Sequence, residues 1–204
     1  MNIVLLGPQG AGKGMVADYL VKEHNFKHIS TGELFREEIS KQTDLGKLIA
    51  SYINKGILLP DEHVFAILKE HLKNNTNCIL DGFPRTLLQA QKLDELIKVD
   101  LTILVDAPKD TLLKRLTARR SCPKCKKNYN TLTYTQKTCE ICNETLVQRD
   151  DDYPDAINKR LEIFYGNIEP IKNFYFNKQI LELLDNSSDL ETMYLNLERI
   201  LKKY

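Results

Sequence analysis

The sequence of 204 residues has almost no net charge and no long apolar run. A formal charge of +1 argues against a protein whose main partner is nucleic acid, because such proteins concentrate positive charge. The longest apolar runs have only a few residues, too few to span a bilayer, and residues 3–6 lack the basic lead and the length of a secretion signal. We therefore expect a cytoplasmic protein without membrane or nucleic-acid partners, and a monomer by default.

Internal repeats and low-complexity tracts are also missing, and short apolar runs instead alternate with helical patterns. Strands buried on both faces typically read as such runs, and candidates lie at residues 3–6, 78–80, 101–105 and 180–184, with 28–29 as a fifth. Strands that alternate with helices predict an α/β fold with a mainly parallel central sheet flanked by helices. Ligands of such sheets bind beyond the carboxyl ends of the strands.

Two helix starts carry the pattern of a capping box, in which Ser is followed three residues later by Glu. The first box covers residues 30–33 and the second covers residues 188–191. In such a box the Ser hydroxyl accepts a hydrogen bond from a backbone N–H in the first helical turn. We therefore expect helices that begin directly after Ser30 and Ser188.

The segment GPQGAGKG, residues 7–14, follows the first predicted strand and has the spacing of a phosphate-binding P-loop. Its glycines allow successive backbone N–H groups to converge on phosphate oxygens, the next helix points its positive end at them, and Lys13 adds a charge. Such loops usually place Ser or Thr after the Lys to hold Mg²⁺, whereas Gly14 and then Met15 stand here. The segment predicts a phosphate site without the usual hydroxyl for the metal.

The segment DGFPR, residues 81–85, follows another predicted strand. An Asp in this position is well placed to act on Mg²⁺ through water, because Mg²⁺ gives up its waters reluctantly. Arg85, held by the stiff Pro84, could grip a phosphate with two hydrogen bonds. Together with the P-loop, this segment indicates a second part of the same phosphate site.

Four of the five cysteines form two pairs with a two-residue spacing, Cys122 with Cys125 and Cys139 with Cys142. Four thiolates at this spacing suit tetrahedral Zn²⁺, and with no open position for water the metal would be structural. An iron–sulfur cluster or a pair of disulfides are the alternatives. Cys78 lies in an apolar stretch and is expected to be a small buried side chain.

Two other groups of polar residues are interpreted as structural. The acidic run at residues 150–152 is expected to be a solvated hinge whose carboxylates could pair with Arg119 or Arg120. The four histidines share no ligand spacing with the cysteines and are interpreted as surface or packing residues.

Five segments resemble adenylate kinase, a nucleoside monophosphate kinase. They are GPQGAGKG (7–14), STGELFR (30–36), DGFPRTLLQA (81–90), LTARR (116–120) and QRDDDYPDAINKRL (148–161). The resemblance, which extends from residue 1 to about residue 165, implies a P-loop kinase fold that transfers a phosphoryl group from ATP to AMP with Mg²⁺ and gives two ADP. It also implies a core (1–29, 60–118 and 153–204), an AMP-binding insertion (30–59) and a lid stapled by zinc (119–152).

The same resemblance implies a role for individual residues. The ATP site would comprise Gly10, Ala11, Gly12, Lys13, Gly14, Met15, Arg119, Asn128, Tyr129 and Ser188. The AMP site would comprise Thr31, Arg36, Ile57, Leu58, Leu59, Gly82, Phe83, Pro84, Arg85, Gln89, Arg149 and Arg160, with Gln89 reading the adenine edge. The catalytic residues would be Lys13, Asp81, Arg85, Arg119, Arg149 and Arg160, and the zinc ligands would be Cys122, Cys125, Cys139 and Cys142. In this family Mg²⁺ rests on the nucleotide and water, with Asp81 steadying it from outside.

Departures from the family pattern leave two questions open. Met15 stands where the family usually has Thr, so a hydroxyl contact to the donor phosphate is expected to be lost. The loop at residues 185–188 is divergent, so the donor could be GTP or another triphosphate. The acceptor could also be another monophosphate, although Gln89 favours AMP. A different class of function, a zinc ribbon that binds nucleic acid beside a regulatory P-loop, has local support only from Lys124, Lys126, Lys127 and Tyr129.

Overall fold

The computed structural model describes residues 1–73, 76–187 and 189–204. The strands of these residues are β1 (Asn2–Leu6), β2 (Lys27–Ser30), β3 (Cys78–Asp81), β4 (Leu101–Asp106), β5 (Arg119–Ser121), β6 (Asn128–Asn130) and β7 (Leu181–Asp185). The helices are α1 (Lys13–His24), α2 (Thr31–Ser40), α3 (Asp44–Asn54), α4 (Asp61–Leu72), α5 (Leu87–Leu96), α6 (Lys109–Thr117), α7 (Pro154–Asn177) and α8 (Leu190–Leu201).

Five of the strands form one parallel sheet in the order β2-β3-β1-β4-β7. All five predicted runs are strands of this sheet, and the predicted α/β fold is confirmed. Parallel strands end at the same edge of a sheet, so the segments that follow them meet there. Leu5 of β1 pairs with Asp81 of β3, which places the P-loop beside the DGFPR segment.

The sheet separates two apolar cores, and β1 supplies both. Ile3 and Leu5 pack with residues of α1, α6 and α8 on one face, whereas Val4 and Leu6 pack with residues of α4 and α5 on the other. Successive side chains of a strand point to opposite faces, so a strand covered on both sides must be apolar throughout. This explains why the central strands are continuous apolar runs. Cys78 of β3 is fully buried in the second core, as predicted.

The two predicted helix starts differ from expectation in detail. Helix α2 does begin after Ser30, but the Ser30 side chain makes no capping hydrogen bond. Helix α8 is capped by Asp189, whose carboxylate accepts a hydrogen bond of 2.9 Å from the backbone N–H of Thr192. The predicted box was therefore one residue too early, since Asp caps helices as well as Ser does. Ser188 itself lies outside the described residues.

The segment from 119 to 152, termed the cysteine segment, has little apolar core of its own. Its two strands, β5 and β6, pair antiparallel and do not join the main sheet. A small cluster is built on Cys122, Tyr129 and Cys139, whereas Leu132 and Ile141 are 68% and 65% exposed. Among the described helices, none is both long and apolar enough to cross a membrane.

Candidate active site

The P-loop, residues 7–14, connects the end of β1 to the start of α1. Gly7 has a φ of +145°, and a Cβ there would lie 2.1 Å from the backbone oxygen of Val105 on the neighbouring strand β4. Gly12 caps α1 with a φ of +98°. Both positions require glycine, and they direct the backbone N–H groups at the start of α1 toward the loop, where an anion is stabilised.

Lys13 folds back across the P-loop. Its Nζ donates to the backbone oxygens of Gly7 at 2.8 Å and Pro8 at 3.0 Å. Burial lowers the pKa of Lys13 to about 8, with Asp81 opposing the shift and Arg85 among the cations that add to it. The Lys13 ammonium is thus held at the loop by two uncharged carbonyl oxygens, and no carboxylate accepts a hydrogen bond from it in the described residues.

Asp81, at the end of β3, meets His28 of the adjacent strand β2. Nε2 of His28 lies 3.4 Å from Oδ2 of Asp81, and the Asp81 side chain is only 15% exposed. Burial works against the charged carboxylate, but His28, Lys13 and Arg85 outweigh it and lower the pKa of Asp81. The carboxylate is therefore ionised at neutral pH. His28, interpreted from sequence as a surface or packing residue, contacts the site directly.

A pocket opens beside the P-loop between β3 and the helices α2, α4 and α5. Its lining residues are Thr31, Phe35, Leu58, Leu59, Val64, Gly82, Phe83, Arg85 and Gln89. All except Phe35 and Val64 belong to the predicted AMP set. These two follow the ordinary apolar pattern of a helix, so no sequence signal separates them from core residues.

Gln89 lines this pocket and is 2% exposed. Its Oε1 accepts a hydrogen bond of 2.7 Å from the backbone N–H of Arg85, and its Nε2 donates to Asp61 at 2.6 Å. Both ends of the amide are thus engaged by the protein itself. Asp61, the first residue of α4, was not singled out in the sequence.

Five residues of the predicted AMP set lie outside the pocket lining: Ile57, Pro84 and Arg36, and the two arginines Arg149 and Arg160. Ile57 is half-buried, and its N–H donates to the backbone oxygen of Tyr52. Pro84 is buried. Arg36 packs over Gly32, and the Arg36 guanidinium would lie 3.3 Å from a Cβ added at Gly32.

Two arginines are paired with the acidic run. Arg119 makes a two-pronged contact to Asp152 at 2.7 and 2.5 Å, and Arg160 lies 2.6 Å from Asp151. The pairing with Arg119 was expected. The solvated hinge was wrong for Asp152, which is fully buried, and for Asp151, which is nearly so, whereas Asp150 is exposed. Arg120 donates to backbone oxygens instead.

The site gathers more positive than negative charge. Its cations are Lys13, Arg36, Arg85, Arg119, Arg149 and Arg160. Burial, together with repulsion from Arg160 and Arg36, lowers the pKa of Arg85 to about 10. Burial, with repulsion from Arg119 and Arg36, lowers that of Arg149 to about 9. A guanidinium still carries its charge at neutral pH, so the arrangement suits a ligand with several negative charges.

Residues 10 and 11 of the P-loop are hydrogen-bonded to α6 and to the loop after β7. Asn186, fully buried, donates from Nδ2 to the backbone oxygen of Ala11 at 2.6 Å. Arg115 of α6 donates to the backbone oxygens of Asn186 at 3.0 Å and Gly10 at 3.5 Å. Neither Asn186 nor Arg115 was predicted to belong to the site. Both contacts join residues far apart in sequence, which no local pattern reveals.

The remaining residues of the predicted ATP set show no single arrangement. Gly14 is exposed, and Met15 is half-buried with its Cε near Gly12. Asn128 is exposed on β6, whereas Tyr129 is 8% exposed inside the cysteine segment. Ser188 lies outside the described residues.

The four cysteines converge as their spacing predicts. All four Sγ atoms lie within 4.8 Å of one another, and all are free thiols. A tetrahedral Zn²⁺ with Zn–S bonds of about 2.3 Å needs sulfurs roughly 3.8 Å apart, so the cluster could hold such an ion with little change. The hydroxyl of Tyr129 lies 3.1 Å from Sγ of Cys139. The cysteines therefore form a candidate metal centre.

The parallel sheet, the P-loop and the cations at its edge define a P-loop α/β protein that binds nucleotide phosphates. A family model described as adenylate kinase matches residues 5–180. The chain belongs to the adenylate kinase family.

Curated relatives span the full length of the chain. An adenylate kinase of Clostridium tetani is 40% identical, with 98% of each chain covered. An adenylate kinase of Kosmotoga olearia is 39% identical over 98% of this chain and 100% of its own. An adenylate kinase of Archaeoglobus fulgidus is 40% identical over 100% of this chain and 99% of its own.

The lowered pKa of Lys13 predicts a basic limb in the rate profile. The ratio kcat/KM for ATP reports groups of the free protein, so it should fall as pH rises through about 8, where Lys13 loses its proton and charge. Above that pH the ratio should drop about tenfold per pH unit. Lys13→Arg keeps the charge and should remove this limb, although its rate is lower. Lys22→Arg, on the exposed side of the same helix, is the control. A limb that persists in Lys13→Arg assigns the titration to another group.

Proposed function

We propose that the chain catalyses the reversible, Mg²⁺-dependent transfer of the terminal phosphoryl group of ATP to AMP, which gives two ADP. The observation that carries the proposal is the pairing of β1 with β3, which sets a P-loop beside a second, arginine-bearing pocket. One nucleotide at the P-loop and a second in the pocket would both direct their phosphates to the cations that lie between the two places. The family membership and the names of the relatives support the same reaction.

The chain divides, in this proposal, into a core (1–29, 60–118 and 153–204), an AMP-binding insertion (30–59) and a lid (119–152). The separate pairing of β5 with β6 supports a lid that is distinct from the main sheet. The position of α2 and α3, which pack on each other beside the pocket, supports the insertion.

ATP is assigned to the P-loop. The N–H groups of Gly10 to Met15 surround its phosphates, and Lys13 exchanges its two backbone oxygens for phosphate oxygens. Arg119, Asn128 and Tyr129 of the lid and Ser188 complete the donor site in this assignment.

AMP is assigned to the pocket on the other side. Its apolar walls, which include Leu58, Leu59 and Phe83, suit a base, and Arg85 in the same lining supplies a positive charge for the phosphate. The proposed contact of Gln89 with adenine is supported by the hydrogen bonds of its amide. Arg85 and Asp61 hold the amide in a fixed orientation, so it can read one edge of the base. Thr31, Arg36, Ile57, Gly82, Pro84, Arg149 and Arg160 complete the set.

Phosphoryl transfer requires positioning and charge stabilisation rather than covalent work by the protein. The attacking atom is an oxygen of the AMP phosphate, which is already anionic, so no general base is needed. Lys13, Arg85, Arg119, Arg149 and Arg160 would stabilise the charge that spreads over the transferred group. Mg²⁺, when bound with the nucleotide, adds further positive charge to the phosphates. Asp81 fits the role of holding its waters, because it is ionised and lies close to Lys13.

The carboxylates of Asp151 and Asp152 pair with Arg160 and Arg119. When the lid closes, phosphate oxygens would take over part of these contacts. Closure would also exclude water and so favour transfer to AMP over hydrolysis.

The direct test is a coupled assay for ADP with a panel of triphosphates and monophosphates. ADP should form only when a triphosphate and AMP are both present, with Mg²⁺. Equal hydrolysis of the triphosphate with and without AMP would contradict the proposal and indicate an ATPase or a switch. The panel also decides between ATP and GTP as donor.

Zinc is proposed as a structural staple of the lid, held by Cys122, Cys125, Cys139 and Cys142. The lid is short of apolar core, and ordering a residue costs roughly 1–2 kcal/mol for the backbone alone. Structural Zn²⁺ contributes on the order of 10 kcal/mol in small peptides, which would offset much of that cost.

Cys139→Ser should lose bound zinc and lower the unfolding temperature. Because none of the cysteines is assigned to the nucleotides, the folded variant should keep a substantial part of its turnover at low temperature. Metal content, thermal unfolding and the ADP assay test this together, and Cys78→Ala is the control that should keep one zinc per chain. A folded Cys139→Ser variant that binds nucleotide but has no turnover would make the metal catalytic.

A further inference from the structure

Arg149 is held by two uncharged side chains, Ser121 and Asn128, which we call the Arg149 clamp. Its Nε donates to Oγ of Ser121 at 2.8 Å, and its Nη2 donates to Oδ1 of Asn128 at 2.5 Å. The Ser121 hydroxyl in turn donates to the same Asn128 oxygen at 2.8 Å. The three side chains therefore close a ring of hydrogen bonds.

The backbone brings the three residues together independently of this ring. Ser121 of β5 lies directly opposite Asn128 of β6. On its other side Ser121 exchanges two backbone hydrogen bonds with Val147, at 2.8 and 3.0 Å, and Arg149 follows two residues later. Because Arg149 follows this bridge so closely, the backbone contacts of Ser121 keep Arg149 near the Ser121 hydroxyl.

The partners of Arg149 are uncharged, whereas the partners of the neighbouring arginines are carboxylates. Arg119 and Arg160 lie on the carboxylates of Asp152 and Asp151. Within the part of the chain that the structure describes, no carboxylate lies within 4.0 Å of the Arg149 guanidinium. A phosphate that binds Arg149 therefore displaces no carboxylate, whereas a phosphate that binds Arg119 or Arg160 must displace the carboxylate of Asp152 or Asp151.

The geometry of the guanidinium leaves room for a ligand. Arginine has five N–H donors, and the clamp uses one on Nε and one on Nη2. Three N–H groups at the Nη1–Nη2 end have no hydrogen-bond partner in the described residues. That end matches the two-oxygen edge of a phosphate.

We propose that Ser121, with Asn128, positions the Arg149 guanidinium for the transferred phosphoryl group while leaving its charge unneutralised. The proposal rests on the proposed function, in which Arg149 contacts the nucleotide phosphates. Ser121 acts through Arg149 and touches no substrate, so it is a positioning residue. A flexible arginine would have to be ordered during the reaction, and the clamp removes part of that cost.

Ser121→Ala removes only the hydroxyl, because the bonds of Ser121 with Val147 are made by the backbone. Loss of one hydrogen bond to a charged group should lower kcat about tenfold, while KM for each nucleotide changes less. Ser121→Thr keeps an acceptor oxygen and should restore kcat to within about twofold of the original. Thr133→Ala, an exposed hydroxyl elsewhere in the cysteine segment, is the control. Zinc content and unfolding temperature verify that the variants are intact.

The deciding comparison is a double-mutant cycle. In an Arg149→Ala background, Ser121→Ala should have no further effect on kcat, because its only route to the reaction has been removed. An unchanged kcat in Ser121→Ala, or the same fold-loss in both backgrounds, would overturn the proposal.

Binding of inorganic tripolyphosphate separates this proposal from the function on which it rests. Calorimetry should show several-fold weaker binding to Ser121→Ala than to the original chain or to Thr133→Ala. If the original chain makes no ADP, the proposed function fails, and the clamp is then judged on tripolyphosphate alone. Equal tripolyphosphate affinity of all three proteins would overturn the clamp.

Discussion

The crowding of half-buried cations, which lose hydration and repel one another, is the constraint on which the rest of this structure depends. Lys13 and five arginines lie at one site, where burial lowers the pKa values of Lys13, Arg85 and Arg149 and repulsion from neighbouring arginines lowers them further. The chain holds them in place with three kinds of partner: backbone oxygens for Lys13, carboxylates for Arg119 and Arg160, and neutral side chains for Arg149. Each partner stabilises a cation only in part, so an excess of positive charge is left for phosphate. A site with this excess binds polyphosphates strongly and is stabilised by them in turn.

The parallel sheet makes such a concentration of charge possible. Its strands are apolar and covered on both faces, and the loops that follow the strands all emerge at one edge. The two phosphate-binding segments come from the adjacent strands β1 and β3. Helix α7 adds Arg160 from a third direction, and residues of this helix pack in both cores. The cysteine segment adds Arg119 and Arg149 from outside the sheet.

The sequence predicted what depends on local pattern and missed what depends on distant pairs. The five strands and the cysteine cluster follow from periodicity and spacing, and both are confirmed. The contact of His28 with Asp81 joins two strands, and the engagement of Gln89 by Asp61 joins two helices, so neither has a local signature. The burial of Asp151 and Asp152 was also missed, because Arg119, the partner of Asp152, is 33 residues away and Arg160, the partner of Asp151, lies on the helix that follows. The prediction of the residue that caps α8 failed for a different reason. Ser and Asp cap helices equally well, so the pattern could not choose between Ser188 and Asp189.

The most direct test of the account measures protons rather than rates. If Lys13 has a pKa of about 8 in the free chain and phosphate supplies the negative charge that it lacks, then nucleotide binding must raise that pKa and take up protons. Calorimetry of ATP binding at about pH 8.5, in buffers with different ionisation enthalpies, gives the number of protons taken up. The chain should take up roughly half a proton or more beyond the number found for Lys13→Met, which corrects for the titration of ATP itself. Equal proton uptake by the two proteins would contradict the account.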